Sequence, residues 1–143
     1  MTVRSYRDLK VWQVAMVLAN EVYTVTTEFP KGEIYGLTSQ VRRAAVSVPS
    51  NIAEGHARGT TRDFLRFLAV AQGSLAELET QVLIAKHQGF LADGAASSLL
   101  ATADEVGKMA RGLRVSLSDK LRDCEPKKSS RPEGPDPTLA PHP

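Results

Sequence analysis

The sequence predicts an all-α protein, an antiparallel up-down-up-down four-helix bundle followed by a disordered Pro-rich C-terminal tail. Three observations carry that expectation. Four segments repeat apolar residues in steps of three and four, the spacing of one helix face. Short stretches with Gly, Pro or capping residues separate them. Aromatic residues are only 6% of the 143 residues, while Ala, Leu and Val are abundant, the balance of a helical rather than a strand-rich domain.

The first helix is expected to open at Ser5-Tyr6-Arg7-Asp8, where a hydroxyl and a carboxylate three residues on can satisfy orphaned backbone N–H groups. Leu9, Trp12, Met16, Ala19 and Tyr23 then form one band, and Val11, Val14, Leu18, Val22 and Val25 a second beside it. Two bands exceed what one core face needs, so the excess either thickens the core contact or marks a subunit interface. Pro30 and Gly32 close the segment.

The second helix runs from about Thr38 to Arg58 with a core stripe of Leu37, Val41, Ala44, Val48 and Ile52. Pro49 interrupts it. Proline has no amide donor and its ring presses on the carbonyl four residues back, so a kink or restart is expected near Val48. Thr60-Thr61-Arg62-Asp63 repeats the capping pattern before the third helix, about Thr61 to His87. Its stripe is Phe64, Leu68, Ala71, Leu75, Leu78, Val82 and Ala85, and Gly89 supplies the stop. Asp93 is expected to cap a fourth helix with the stripe Ala96, Leu99, Ala103, Val106, Ala110, Leu113 and Leu117. From about Asp123 the periodicity vanishes, which divides the chain into a bundle over residues 1–122 and a tail over 123–143 that is expected to be disordered. Short connections between amphipathic helices favour antiparallel neighbours around one core.

Composition narrows function. The N-terminal residues are charged and no run approaches the ~18 apolar residues of a membrane span, so no membrane role and a cytoplasmic location are expected. The single cysteine, Cys124, cannot form an intrachain disulfide or a cysteine-based metal site. His56, His87 and His142 have no partner at metal-ligand or triad-like spacing. No catalytic residues, no metal and no cofactor are therefore expected. Net charge is +2 and the pI near 8.8, below the value above ~9 of strongly basic nucleic-acid-binding domains. In a ring of copies, however, positive charge would accumulate and could steer a polyanion.

The stretch from Arg42 through Ala44, Ser47, Val48, Pro49, Ser50, Asn51, Ile52, Ala53 and Glu54 to Gly55, with Arg58 following, combines a helix-period pattern with a central proline. It resembles the hallmark of the four-helix-bundle proteins encoded by intervening sequences of bacterial 23S ribosomal RNA genes. Leu9 with Val11-Trp12-Gln13, Phe29-Pro30 with Glu33 and Tyr35-Gly36-Leu37-Thr38, and Ala71-Gln72-Gly73-Ser74-Leu75-Ala76-Glu77-Leu78 extend the likeness over about Tyr6 to Leu121. The resemblance implies a homo-oligomer, a pentamer, whose partner besides itself is RNA or a nucleic-acid enzyme. Related accessory variability determinant proteins of diversity-generating retroelements act beside a reverse transcriptase and are a second identity that the resemblance allows. The Pro-rich tail has no counterpart in the family pattern.

Two groups of candidate residues follow. On a helix, Ser47, Asn51, Glu54 and Arg58 fall at steps of four, three and four and form one polar seam. The seam is either a solvated face with a Glu54–Arg58 ion pair, or a hydrogen-bonded contact with another helix or subunit. Pro49, Gly55 and Gly59 would permit the close approach that the second reading needs. Gly73, with Ala69 and Ala76, forms a small-residue strip that serves either core packing or a contact between subunits. The candidate nucleic-acid-binding residues are Arg43, Arg58, Arg62 and Arg66, of which the last three surround one interhelical turn. With no exposed aromatic residue interleaved among them, they are expected to read backbone or shape rather than to stack bases. A protein-interaction scaffold without nucleic-acid affinity is the competing reading, favoured by the nearly balanced charge.

Overall fold

A computed structural model describes residues 3–125. Four helices follow in order: α1 (Lys10–Thr26), α2 (Leu37–Ala57), α3 (Thr61–His87) and α4 (Asp93–Cys124). Each packs on its chain neighbour, and α1 also packs on α4, so the four close into a square with α2 against α3 as its most extensive contact. Among the described residues neither diagonal pair, α1 with α3 or α2 with α4, approaches as closely as the neighbouring pairs do. Alternate helices therefore run up and down around one core.

Local chemistry explains the boundaries. The Ser5–Asp8 capping box forms, with Ser5 Oγ accepting from the Arg7 amide at 3.1 Å and Asp8 Oδ2 accepting from the Ser5 amide at 3.2 Å. It caps a short 3-10 turn, Tyr6–Asp8, rather than α1 itself, which begins at Lys10 after extended Leu9. At α3 the cap is as expected, Thr60 Oγ1 accepting from the Asp63 amide at 3.2 Å. Its other end is a Schellman closure: Gly89 has φ +76°, the Phe90 amide donates to the Ala85 carbonyl at 2.9 Å and the Gly89 amide to that of Lys86 at 3.1 Å.

Two boundary expectations are corrected, and one is narrowed. Asp93 is the first residue of α4, not its cap; Ala92 stands at the cap without a side-chain bond, and the Asp93 charge favours the helix start electrostatically. The helix continues to Cys124, two residues beyond the predicted end of the bundle at 122, because helical geometry persists where the apolar stripe has already ended. α2 passes through Pro49 without a restart. Of the kink or restart expected near Val48 the restart does not occur; proline has no amide to donate to the Ala45 carbonyl, and both residues are buried. Of the tail over 123–143 expected to be disordered, Asp123 and Cys124 are helical and residues 126–143 lie outside the described residues.

The stripes of α2, α3 and most of α4 are the core, with Ile52, Leu68, Leu78 and Val106 almost wholly enclosed. Leu113 and Leu117 are only half-buried. On α1 it is the second band that faces inward: Val11, Leu18 and Val22 are buried with Ala15, whereas Trp12 is half-buried and Met16 and Tyr23 are exposed. Phe29 and Phe90, ring centroids 6.1 Å apart, cover the end of the core at the α1–α2 and α3–α4 loops.

Candidate nucleic-acid interface at the turn between α2 and α3

Residues 58–60 join α2 to α3, and Gly59 takes φ +82° there, a conformation that costs side-chain-bearing residues strain. Its contribution is therefore to the turn, not to a close helix approach. Gly55 makes that approach: a Cβ built on it would lie 2.6 Å from Phe67 Cβ and 3.4 Å from Phe64 Cα. Buried Gly55 thus lets α3 come in close enough to bring Phe67 beside Arg58.

Arg58 and Arg66 both lie over the Phe67 ring, at 5.2 and 4.9 Å from its centroid. Each such cation–π contact contributes ~0.5–1 kcal/mol at an exposed site. Among the described residues no exposed aromatic interleaves with the arginines, but half-buried Phe67 lies between two of them. The signal was present in the sequence as an aromatic one position off the Phe64–Leu68 stripe. Arg58 pairs with Glu54 at 3.0 Å, Arg66 with Asp63 at 3.5 Å and Arg62 with Glu125 at 3.5 Å. All three guanidinium groups are exposed, and pairs of this kind contribute only about 0–1 kcal/mol. They can exchange their carboxylates for phosphate oxygens at small cost.

Arg43 does not join this cluster. It is fifteen positions from Arg58 on α2, roughly 22 Å along the axis at ~1.5 Å per residue, and lines a polar groove with Gln40, Ser47, Ser74, Glu77 and Gln81.

The polar seam divides between its two readings. Ser47 Oγ and Ser74 Oγ are hydrogen-bonded across α2 and α3 at 2.8 Å, and Asn51 Nδ2 donates to Ser47 Oγ at 2.9 Å and to the Ser47 carbonyl at 2.8 Å. Glu54 and Arg58, one turn further, are the exposed i,i+4 pair. Pro49 is buried and lines a groove between α1 and α2 with Tyr6, Trp12 and Tyr23. Gly73 has nothing within 4 Å of a built Cβ, and Ala69 and Ala76 are exposed with it, so the strip plays no part in packing the core of its own chain.

His56 stands edge-on to Phe64 at 5.6 Å, and His87 Nδ1 lies 2.7 Å from the Leu83 carbonyl. Among the described residues no three of His, Cys, Asp or Glu group as metal ligands, and no helix is long and apolar enough to cross a membrane.

Comparison with known proteins supplies the family. A search of curated proteins found none that matches the chain. The family described as 23S rRNA-intervening sequence protein matches residues 7–112, a span that takes in all of α1, α2 and α3, the α2–α3 turn and more than half of α4. The chain belongs to the 23S rRNA-intervening sequence protein family.

Proposed function

We propose that this chain is a non-enzymatic, homo-oligomeric accessory protein, a pentamer by its resemblance, that contacts the phosphates of structured RNA through Arg58, Arg62 and Arg66. The observation that carries this reading is the meeting of exposed Arg58 and Arg66 over Phe67 beside the α2–α3 turn, with exposed Arg62 one turn before Arg66 on α3 and reaching Glu125 at the end of α4. Repeated around an assembly, the cluster becomes a multivalent basic surface. Exposed apolar side chains on α1 and α3, among them Met16, Val17, Leu83 and Ile84, support self-association.

Fluorescence anisotropy of a labelled structured RNA tests it, with a single strand and a DNA duplex in parallel. Micromolar or tighter affinity is expected, weakening as salt rises because phosphate contacts release counterions. Replacing Arg58, Arg62 and Arg66 together by Glu is expected to abolish it. Absence of binding even at low salt would sink the RNA reading.

A protein-interaction scaffold is the second reading, favoured by one observation: every arginine of the cluster already faces a carboxylate. Under it the wild-type protein binds no nucleic acid, and pull-down with the intact chain would recover a protein that the triple variant loses.

A further inference from the structure

Among the described residues, two side-chain polar atoms are shut off from solvent without a hydrogen-bond partner: Glu21 Oε2 and Gln81 Oε1. Enclosed polar groups without partners cost free energy and call for an explanation. The two lie on opposite sides of the bundle. Glu21 lines a groove between α1 and α4 with Met16, Val17, Thr24 and Ser98, whereas Gln81 lines the groove between α2 and α3 that holds Arg43. In the square of helices these are opposing faces.

They also share a level along the bundle. Arg42 Nε donates to Thr26 Oγ1 at 2.8 Å, and the Arg42 guanidinium lies 4.8 Å from the Tyr23 ring centroid. Arg43 follows Arg42 and Glu21 precedes Tyr23 by two residues, so Arg43 and Glu21 stand within about one helical turn of the same height. Their charges are opposite, and among the described residues neither forms an ion pair within 4.0 Å, although Glu77 lines the same groove as Arg43. Solvent-facing apolar Met16 and Val17 flank Glu21 in its groove, whereas the groove of Arg43 and Gln81 is polar.

We infer that a second copy of this chain docks its α2–α3 face on the α1–α4 face of the first, with Arg43 of one copy on the Glu21 carboxylate of the other, reached through Oε1, the oxygen that is not enclosed. The Ser98 hydroxyl of the same α1–α4 face, which among the described residues has no hydrogen bond within its own chain, then supplies a donor toward Gln81. Two different faces meet, so the contact is head-to-tail and generates a closed ring when its rotation closes. The inference rests on the homo-oligomeric reading above and adds which faces meet. It also assigns Arg43 to assembly and leaves RNA contact to the cluster at the α2–α3 turn.

Sedimentation velocity of the full chain over a concentration series tests the pairing. Glu21→Arg and Arg43→Glu are each expected to raise the assembly midpoint by at least about tenfold, and the double variant to return it near the wild type, because like charges facing each other repel and swapped charges pair. Glu21→Gln keeps the side chain's shape and is expected to weaken assembly as well, which guards against a misfolded arginine variant; far-UV circular dichroism checks the helices of each. A wild type that assembles while the single variants assemble equally well, or a double variant that is not rescued, overturns the pairing and leaves the homo-oligomeric reading standing. A wild type that stays monomeric at every concentration overturns both.

Discussion

Phe67 occupies the space that a side chain on Gly55 would need: a Cβ on Gly55 would stand 2.6 Å from Phe67 Cβ. The same phenylalanine carries Arg58 and Arg66 over its ring. One missing methyl group on α2 therefore sets both the closeness of α2 to α3 and the platform under the arginine cluster.

Gly55→Ala is expected to destabilise the bundle. Alanine gains up to ~1 kcal/mol of helix propensity, but overpacking a close backbone approach costs ~1–3 kcal/mol, and the neighbouring atom is a Cβ that cannot swing aside. A net loss near 1 kcal/mol should lower Tm by roughly 3–5 °C in a domain of this size. Thermal melting checks it; a raised Tm would mean that α3 yields without cost.

Gly73→Ala should act in the opposite direction. A Cβ there meets nothing within 4 Å, so the substitution is expected to stabilise the separate protomer by ~0.5–1 kcal/mol through helix propensity alone. Urea unfolding under dilute conditions measures this. A loss of stability that grows with protein concentration would place a partner copy against the strip.

Thr60→Ala removes the cap of α3. The hydroxyl accepts from the Asp63 amide and donates to Asp63 Oδ2 at 2.9 Å, and loss of a cap costs ~1 kcal/mol. Thr60→Ser is expected to restore most of it. If alanine and serine unfold at the same urea concentration, the bond carries no net stability.

Ser47→Ala and Ser74→Ala form a double-mutant cycle across α2 and α3. The hydroxyls share one bond at 2.8 Å and Asn51 leans on the first of them. Each single change is expected to cost ~0.5–1.5 kcal/mol, and the double change less than their sum, with a coupling of ~0.5–1 kcal/mol. Strict additivity in the unfolding free energies would show the two sites to be independent.

The third helix was legible to its end residues because three independent signals agree on it: the cap at Thr60, seven stripe positions and the left-handed stop at Gly89. The first helix was less so. Its two apolar bands satisfy the same periodicity, and only the position of α2 and α4 decides that Leu18 and Val22 face the core while Met16 and Tyr23 face out. α4 outran its stripe to Cys124 because periodicity reports burial, and a helix can continue after its buried face has ended.

The candidate site divides in the same way. Spacing alone put Glu54 one turn from Arg58 and put Arg58, Arg62 and Arg66 around one turn. No local pattern could join Ser47 to Ser74, which lie 27 positions apart, seat Arg58 on Phe67, or separate Arg43 from the cluster it was grouped with. The sequence by itself determined the helices, their order and the residues able to bury or bear charge, because those depend on contacts within a few positions of one another. Which faces meet, which arginines stand together and which polar atoms are left without a partner only the tertiary structure decided, because these depend on the rotation and approach of one helix against another, to which a periodic pattern is indifferent.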